Sequence, residues 1–250
     1  ERAILHKNAT HLVPSERMLL PLVKEGSFGK FLTSLGLMVY DVLAGVESAD
    51  QRKMLSKEET LEKEPLLNES VLEGGGIYAE YRTDDARLTI EVIKTAVQYG
   101  ADCFNYISAD DFIYENGRVS GVQAKDQLAR KTFKLKARSV INAAGPWGDD
   151  LRVKNNSLRG KFLHLTKGVH IVVPKTKFPL KQAIYFDVPD GRMIFAIPRG
   201  LITYIGTTDT DYQGNKDRIL TYQSDVDYLL EATNCAFPSL KLTSDHINSS

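Results

Sequence analysis

The 250 residues carry two cysteines, one tryptophan and no excess charge of either sign. Cys103 and Cys235 are too few and too far apart for a disulfide framework, and they match no CxxC metal or redox spacing. A reducing, cytoplasmic setting is the corresponding expectation. The 32 basic residues balance 32 acidic ones, which argues against the broad positive footprint of a nucleic-acid binder and against an electrostatically recruited membrane surface. Any anion-binding charge must therefore be local. Long apolar runs are missing too, since the most apolar region, residues 28–46, is interrupted by Lys30, Asp41 and glycines. No spacing of histidines and carboxylates suits a metal, so none is expected. No Gly-x-Gly-x-x-Gly occurs anywhere, and the run Gly74, Gly75, Gly76 lacks its register and its strand-to-helix setting.

What is present is a globular composition, with 42% hydrophobic residues, enough for one large domain or two modest ones. The segment INAAGPW, residues 141–147, reads as a hydrophobic strand running into small residues, a glycine and a proline. Such a turn lets main-chain N–H groups approach a phosphate, and a helix starting at Gly145 and Pro146 would aim its positive end the same way. A plain strand-to-helix turn would look alike.

The first seventy or so residues read as helices broken by turns. Phe28, Phe31, Leu32, Leu35, Val39 and Val42 recur at helical spacing, and Ser56 with Glu59 is a capping box opening a short helix that ends near Pro65. Thr83, Asp84 and Asp85 begin a helix whose Ala86, Ile90, Ile93 and Val97 share a face before Gly100 stops it. Strands are predicted at 103–107, 111–114, 119–124, 132–135 and 140–144, with Asn116 and Gly117 as a hairpin turn. From His164 onward antiparallel strands are predicted at 169–173, 183–188, 193–197 and 203–206, with turns at 189–191 and 198–200. Ser224 and Asp227 are read as capping a last helix with Val226, Leu229, Leu230 and Thr233 on one face.

Four segments occur in order: GGIYAEYRTDDARL from Gly75, INAAGPW from Ile141, HLTKGVHIVV from His164 and YIGTTDT from Tyr204. Together they closely resemble the FAD-dependent glycerol-3-phosphate dehydrogenases, over nearly the whole chain. The resemblance implies a mixed α/β fold, part of a two-dinucleotide-binding-fold flavoprotein with an antiparallel substrate-domain sheet. It divides the chain into a helical segment at 1–73, part of the FAD-binding domain at 74–160 and substrate-domain sheet and helix at 161–250. It implies FAD as cofactor, sn-glycerol 3-phosphate as substrate, dihydroxyacetone phosphate as product and a quinone as electron acceptor, although related oxidases use oxygen instead. Family members open with the GxGxxG element and continue past residue 250, so the chain is expected to be an internal fragment, inactive by itself. Oligomeric state, flavin attachment and peripheral contact of the parent with the cytoplasmic membrane stay open.

Alcohol oxidation by a flavin needs a base of near-neutral pKa, which suits histidine. His170 lies in the segment best matching the family's substrate pocket, and strand alternation sets it opposite Val169 and Ile171. Its competing role is a hydrogen bond across the sheet. His164 would share that side only if the strand ran unbroken through Gly168, whereas His6, His11 and His246 have no such context. Lys167, Arg192 and Arg199 are the cationic candidates for substrate phosphate, Lys167 and Arg199 foremost, against the ordinary role of solvated charges beside turns. The family's main phosphate-binding residues resemble segments outside this chain. For FAD the resemblance points to Asn142, Ala143, Ala144 and Gly145, with Trp147 packing beneath the turn or anchoring a core, and to Tyr106 in a segment set against adenine by its main chain. The run Gly206 to Asp209 either brings hydroxyls near the isoalloxazine or forms a simple turn, the turn being favoured.

Overall fold

A computed structural model describes residues 2–24, 26, 36, 39, 51–188 and 190–250. The chain divides into two compact units, one of Glu1–Leu88, Lys167–Thr210 and Leu220–Ser250, the other of Thr89–Thr166 and Asp211–Ile219.

The larger unit is built on a seven-stranded sheet in the order Lys53–Leu55, Leu72–Tyr81, Ser15–Val23, Ala183–Asp187, Met193–Arg199, Ile202–Gly206, His170–Pro174. Neighbours are antiparallel except Ser15–Val23 and Ala183–Asp187, where Met18 faces Ala183 and Leu19 faces Ile184 in parallel. Period-two alternation sends Leu19, Ile77, Ile171, Val173, Ile184, Ile194, Ala196 and Ile205 into one core. The helix Gln223–Ala236 adds Leu229, Leu230 and Ala232, and Phe237 packs edge-on against Phe178 and Phe186 at centroid distances of 4.9 and 5.3 Å. The edge strand His170–Pro174 is met by the chain's tail, with Val172 N–H donating to Ser249 O at 2.9 Å and Asn248 N–H to Val172 O at 2.8 Å.

Three of these strands correct the sequence reading, the short Lys53–Leu55 among them. Residues expected to be helical or to be a glycine-rich connection form Ser15–Val23 and Leu72–Tyr81, paired along their lengths. The glycines belong in a strand because the helix Lys57–Lys63 lies against it: a Cβ on Gly75 would stand 2.8 Å from Thr60 Oγ1. That helix has the anticipated capping box, Glu59 N–H donating to Ser56 Oγ and Ser56 N–H to Glu59 Oε2. The pairing also draws residues 74–88, read as cofactor-domain sequence, into the larger unit. Of the helical face predicted earlier in the chain, Phe28, Phe31, Leu32, Leu35 and Val42 lie outside the described residues, as does Pro189 of the predicted turn.

The smaller unit holds an antiparallel meander of Ile107–Glu115, Arg118–Asp126 and Thr132–Lys136. Asn116 and Gly117, with φ of 51° and 73°, make the expected two-residue hairpin turn. The short helix Gly148–Lys154 is tied to it by Tyr114 Oη donating to Asn155 Oδ1 at 2.6 Å. Residues 103–106 and 140–144 form no strand, contrary to expectation. Neither is paired in a ladder with another strand, and without a ladder an apolar run such as VINAA cannot become a strand.

Candidate active site

His170 opens the edge strand of the larger sheet. Ile171 and Val173 point into the core, so alternation turns His170 to the opposite, open face. Its ring stands 5.3 Å from Phe195 and 6.2 Å from Tyr204, both on neighbouring strands of that face. These neighbours desolvate the imidazole and push its pKa below the ordinary value, so the ring is neutral near pH 7 and ready to accept a proton. Burial raises the pKa of the Tyr204 and Tyr185 phenols, which keeps them protonated. The result is a neutral base flanked by two aromatic rings on the open face of the sheet, accessible to an alcohol it could deprotonate.

Phe195 and Tyr204 were not singled out from the sequence. Register was the missing signal: the turn is Gly200–Leu201, with Pro198 and Arg199 in the strand before it, and counting outward from it pairs Ile197 with Tyr204 and Phe195 with Gly206, and Gly206 in turn pairs with His170.

The cations do not gather there. Lys167 is only 4% exposed, and its Nζ donates to Asp225 Oδ2 at 2.6 Å and Leu220 O at 3.2 Å while lying 4.3 Å from the Tyr222 ring centroid. Its charge is committed inside the protein, and the expected role toward substrate phosphate is corrected to a buried ion pair. Arg199 faces Ile202 at the far end of the hairpin from Gly206 and His170, a separation of roughly 13 Å along the strands. There Arg199 Nη2 meets Asp84 Oδ2 at 3.4 Å, beside the start of the helix Asp85–Gln98. Arg192 is held by Asp190 and by Asp209 O. Thr208, in the run after Gly206, is buried and accepts from Val169 N–H at 2.9 Å, so its hydroxyl braces the segment leading to His170.

In the smaller unit, residues 142–147 form a turn held by Asn142, whose side chain accepts from Ala144 N–H and donates to Gly148 O at 2.9 Å. Gly145 has φ of 53°, the left-handed region that favours glycine, and nothing lies within 4 Å of where a Cβ would project. Trp147 closes a short 3-10 turn and is 39% exposed, so it anchors no core here. The turn fits a ligand approached by main chain, because it is open and its backbone is preset. Tyr106 is exposed with φ of 57°, and its carbonyl accepts from Gln127 N–H. His164 lies in this unit, its Nε2 2.8 Å from Asp211 Oδ1 at the surface, and no strand runs unbroken from it through Gly168 to His170.

Comparison with known proteins places these features in a family context. Residues 2–249 match the family described as FAD dependent oxidoreductase. Across all 250 residues the chain is 52% identical to the aerobic glycerol-3-phosphate dehydrogenase of Bacillus subtilis (strain 168), covering 45% of that protein. It is 53% identical to the enzyme of the same name from Staphylococcus aureus (strain USA300), again covering 45%. The crystal structure of the glycerol-3-phosphate dehydrogenase from Bacillus halodurans complexed with FAD aligns with a TM-score of 0.84 at 49% identity, over 98% of this chain and 44% of that one. An L-alpha-glycerophosphate oxidase from Mycoplasma pneumoniae with FAD bound shares the fold, with a TM-score of 0.74 at 18% identity over 98% of this chain and 65% of that one. The chain thus spans a little under half the length of the curated relatives it matches.

Proposed function

The chain belongs to the family of FAD-dependent oxidoreductases, and from that premise we propose that it is the central part of an enzyme oxidising sn-glycerol 3-phosphate to dihydroxyacetone phosphate. The observation that carries this reading is His170, a neutral imidazole on the open face of the sheet within a chain 52% identical to a glycerol-3-phosphate dehydrogenase. In the reaction the imidazole accepts the proton of the substrate's C2 hydroxyl, while Phe195 and Tyr204 limit water around it. Bound FAD would supply the hydride acceptor for C2, and a quinone is the proposed final electron acceptor. Residues 142–145 would hold the cofactor through their backbone, with Trp147 and Tyr106 as further contacts. The proposed substrate wall and base lie in the larger unit, and residues 89–160 fall within the segment 74–160 proposed as part of the FAD-binding domain. The proposed location is the cytoplasm, with peripheral contact of the parent enzyme at the membrane that holds the quinone. Among the described residues no helix is long and apolar enough to cross a membrane.

Replacing His170 by alanine in the complete enzyme is expected to lower kcat/KM about a hundredfold or more, with flavin content unchanged. Near-normal kcat/KM across the pH range would remove His170 from the mechanism. Gly145→Val strains the left-handed turn and fills the open space above it, so it is expected to reduce FAD retention. If apo stability collapses while affinity for FAD persists, the turn is purely architectural.

A second reading, that these residues alone fold without turning over substrate, is favoured by the exposure of Ile90, Ile93, Val97 and Ile141 in the smaller unit. The isolated chain is expected to bind FAD weakly or not at all. Stoichiometric yellow flavin carried through gel filtration, or turnover with a dye acceptor, would overturn it.

A further inference from the structure

Gly206 ends the strand Ile202–Gly206, paired with Phe195 on one neighbouring strand and with His170 on the other. Its backbone is not left-handed: it is absent from the positive-φ glycines, which include Gly145, Gly191 and Gly200. The space beside it is also closed to a side chain. A Cβ built at residue 206 would stand 2.3 Å from Cδ2, 2.9 Å from Nε2 and 3.0 Å from Cγ of His170, so the place of a side chain is already taken by the imidazole. Phe195, the partner of Gly206 on the opposite strand, closes one flank at 5.3 Å, and Tyr204, two residues back on the same face, stands edge-on at 6.2 Å.

We propose that Gly206 is a positioning residue for His170: the bare strand is a berth on which the imidazole lies, with Phe195 and Tyr204 as its walls. The inference rests on the reading of His170 as the base, and it adds what aims that base. A proton acceptor works only within hydrogen-bond reach of its donor, and a shift of about 1 Å in a catalytic group can cost on the order of a hundredfold in rate. Alanine at 206 keeps the strand backbone and expels the ring from its berth. Gly75 offers a contrast, since there the Cβ would meet Thr60 Oγ1 on a packed helix and the cost would fall on the core.

The test is a double-mutant cycle in this chain, with Gly206→Ala made in the native and in the His170→Ala background and unfolding followed in urea. The added methyl is expected to lower the unfolding midpoint when the imidazole is present and to leave it within error when the ring has been removed. If Gly206→Ala alone does not fold, recovery of folding in the double variant gives the same answer. Imidazole resonances of His170 provide a second readout and are expected to move in Gly206→Ala while core amides of residues 171–173 stay in place. In the complete enzyme Gly206→Ala is expected to lower kcat/KM roughly tenfold to a hundredfold with flavin absorbance kept, and to add nothing to His170→Ala. Equal cost in both backgrounds, or unmoved imidazole resonances, overturns the berth. A coupled pair together with full activity of His170→Ala would leave the berth standing and reject the base.

Discussion

The helices Gln223–Ala236 and Asp85–Gln98 are both 14 residues long and both amphipathic, yet they meet opposite fates. The first buries Leu229, Leu230, Ala232 and Thr233 against the seven-stranded sheet, whereas the second buries nothing and leaves Ile90, Ile93 and Val97 in solvent. The contrast extends to the units around them. Ala124 is the one buried hydrophobic residue among the described residues of the smaller unit, while Phe104, Leu128, Ile141 and Phe162 stand exposed there. A periodic apolar stripe creates a surface capable of packing, but stability comes only when a second surface covers it.

The comparison is sharpened most by breaking the buried ion pair of the larger unit. Asp225→Ala strands the Lys167 ammonium in the core and is expected to cost about 3–5 kcal/mol in urea unfolding, with much of the loss recovered when Lys167→Met is added. A cost below about 1 kcal/mol would mean that water already reaches the pair. Next come matched truncations of the two helices. Leu229→Ala is expected to cost about 2–5 kcal/mol. Ile90→Ala is expected to stay within about 0.5 kcal/mol of the parent. Comparable losses at the two sites would show that the stripe of the second helix is covered in solution. Hydrogen exchange offers a milder form of the same contrast, since amides of residues 89–98 are expected to exchange well before those of residues 203–205.

The smallest effect is pH-dependent. The pKa of His170 is depressed in the folded chain, so its contribution is fully present above the unfolded imidazole value of about 6.5 and is lost as pH falls through the folded value. His170→Ala is expected to flatten this part of the stability profile. A profile unchanged by the substitution would locate the titration elsewhere.

Elements with a complete local signature were legible in the sequence. The Ser56 and Glu59 capping box and the Asn116–Gly117 turn carry their instructions within a few residues, and so do the strands of the hairpin read at 198–200, whose turn proper is Gly200–Leu201. Capping chemistry at the last helix was off by a turn position: Asp225 accepts the Tyr222 N–H, while Asp227 accepts from Gln223 instead. The strands Ser15–Val23 and Leu72–Tyr81 escaped notice because Pro21 and three glycines weaken any strand signal, and what makes them strands is each other and the helix carrying Thr60. At the candidate site His170 could be read from alternation. Lys167 could not, because the sequence gives no hint that Asp225, 58 residues away, would claim its charge. Arg199 was misjudged for want of register, which alone shows that strand ends 198–202 and 170–206 are opposite ends of one hairpin face.

The tail that crosses Val172 has a consequence for handling the protein in solution. Among the described residues the strand His170–Pro174 is the last of its sheet, and residues 248–249 pair with the outward N–H and C=O of Val172. Removing those few residues would bare a row of donors and acceptors of the kind that recruits a strand from another molecule. Trimming the chain at Ile247 is therefore expected to favour concentration-dependent self-association, beginning at the strand that carries the imidazole.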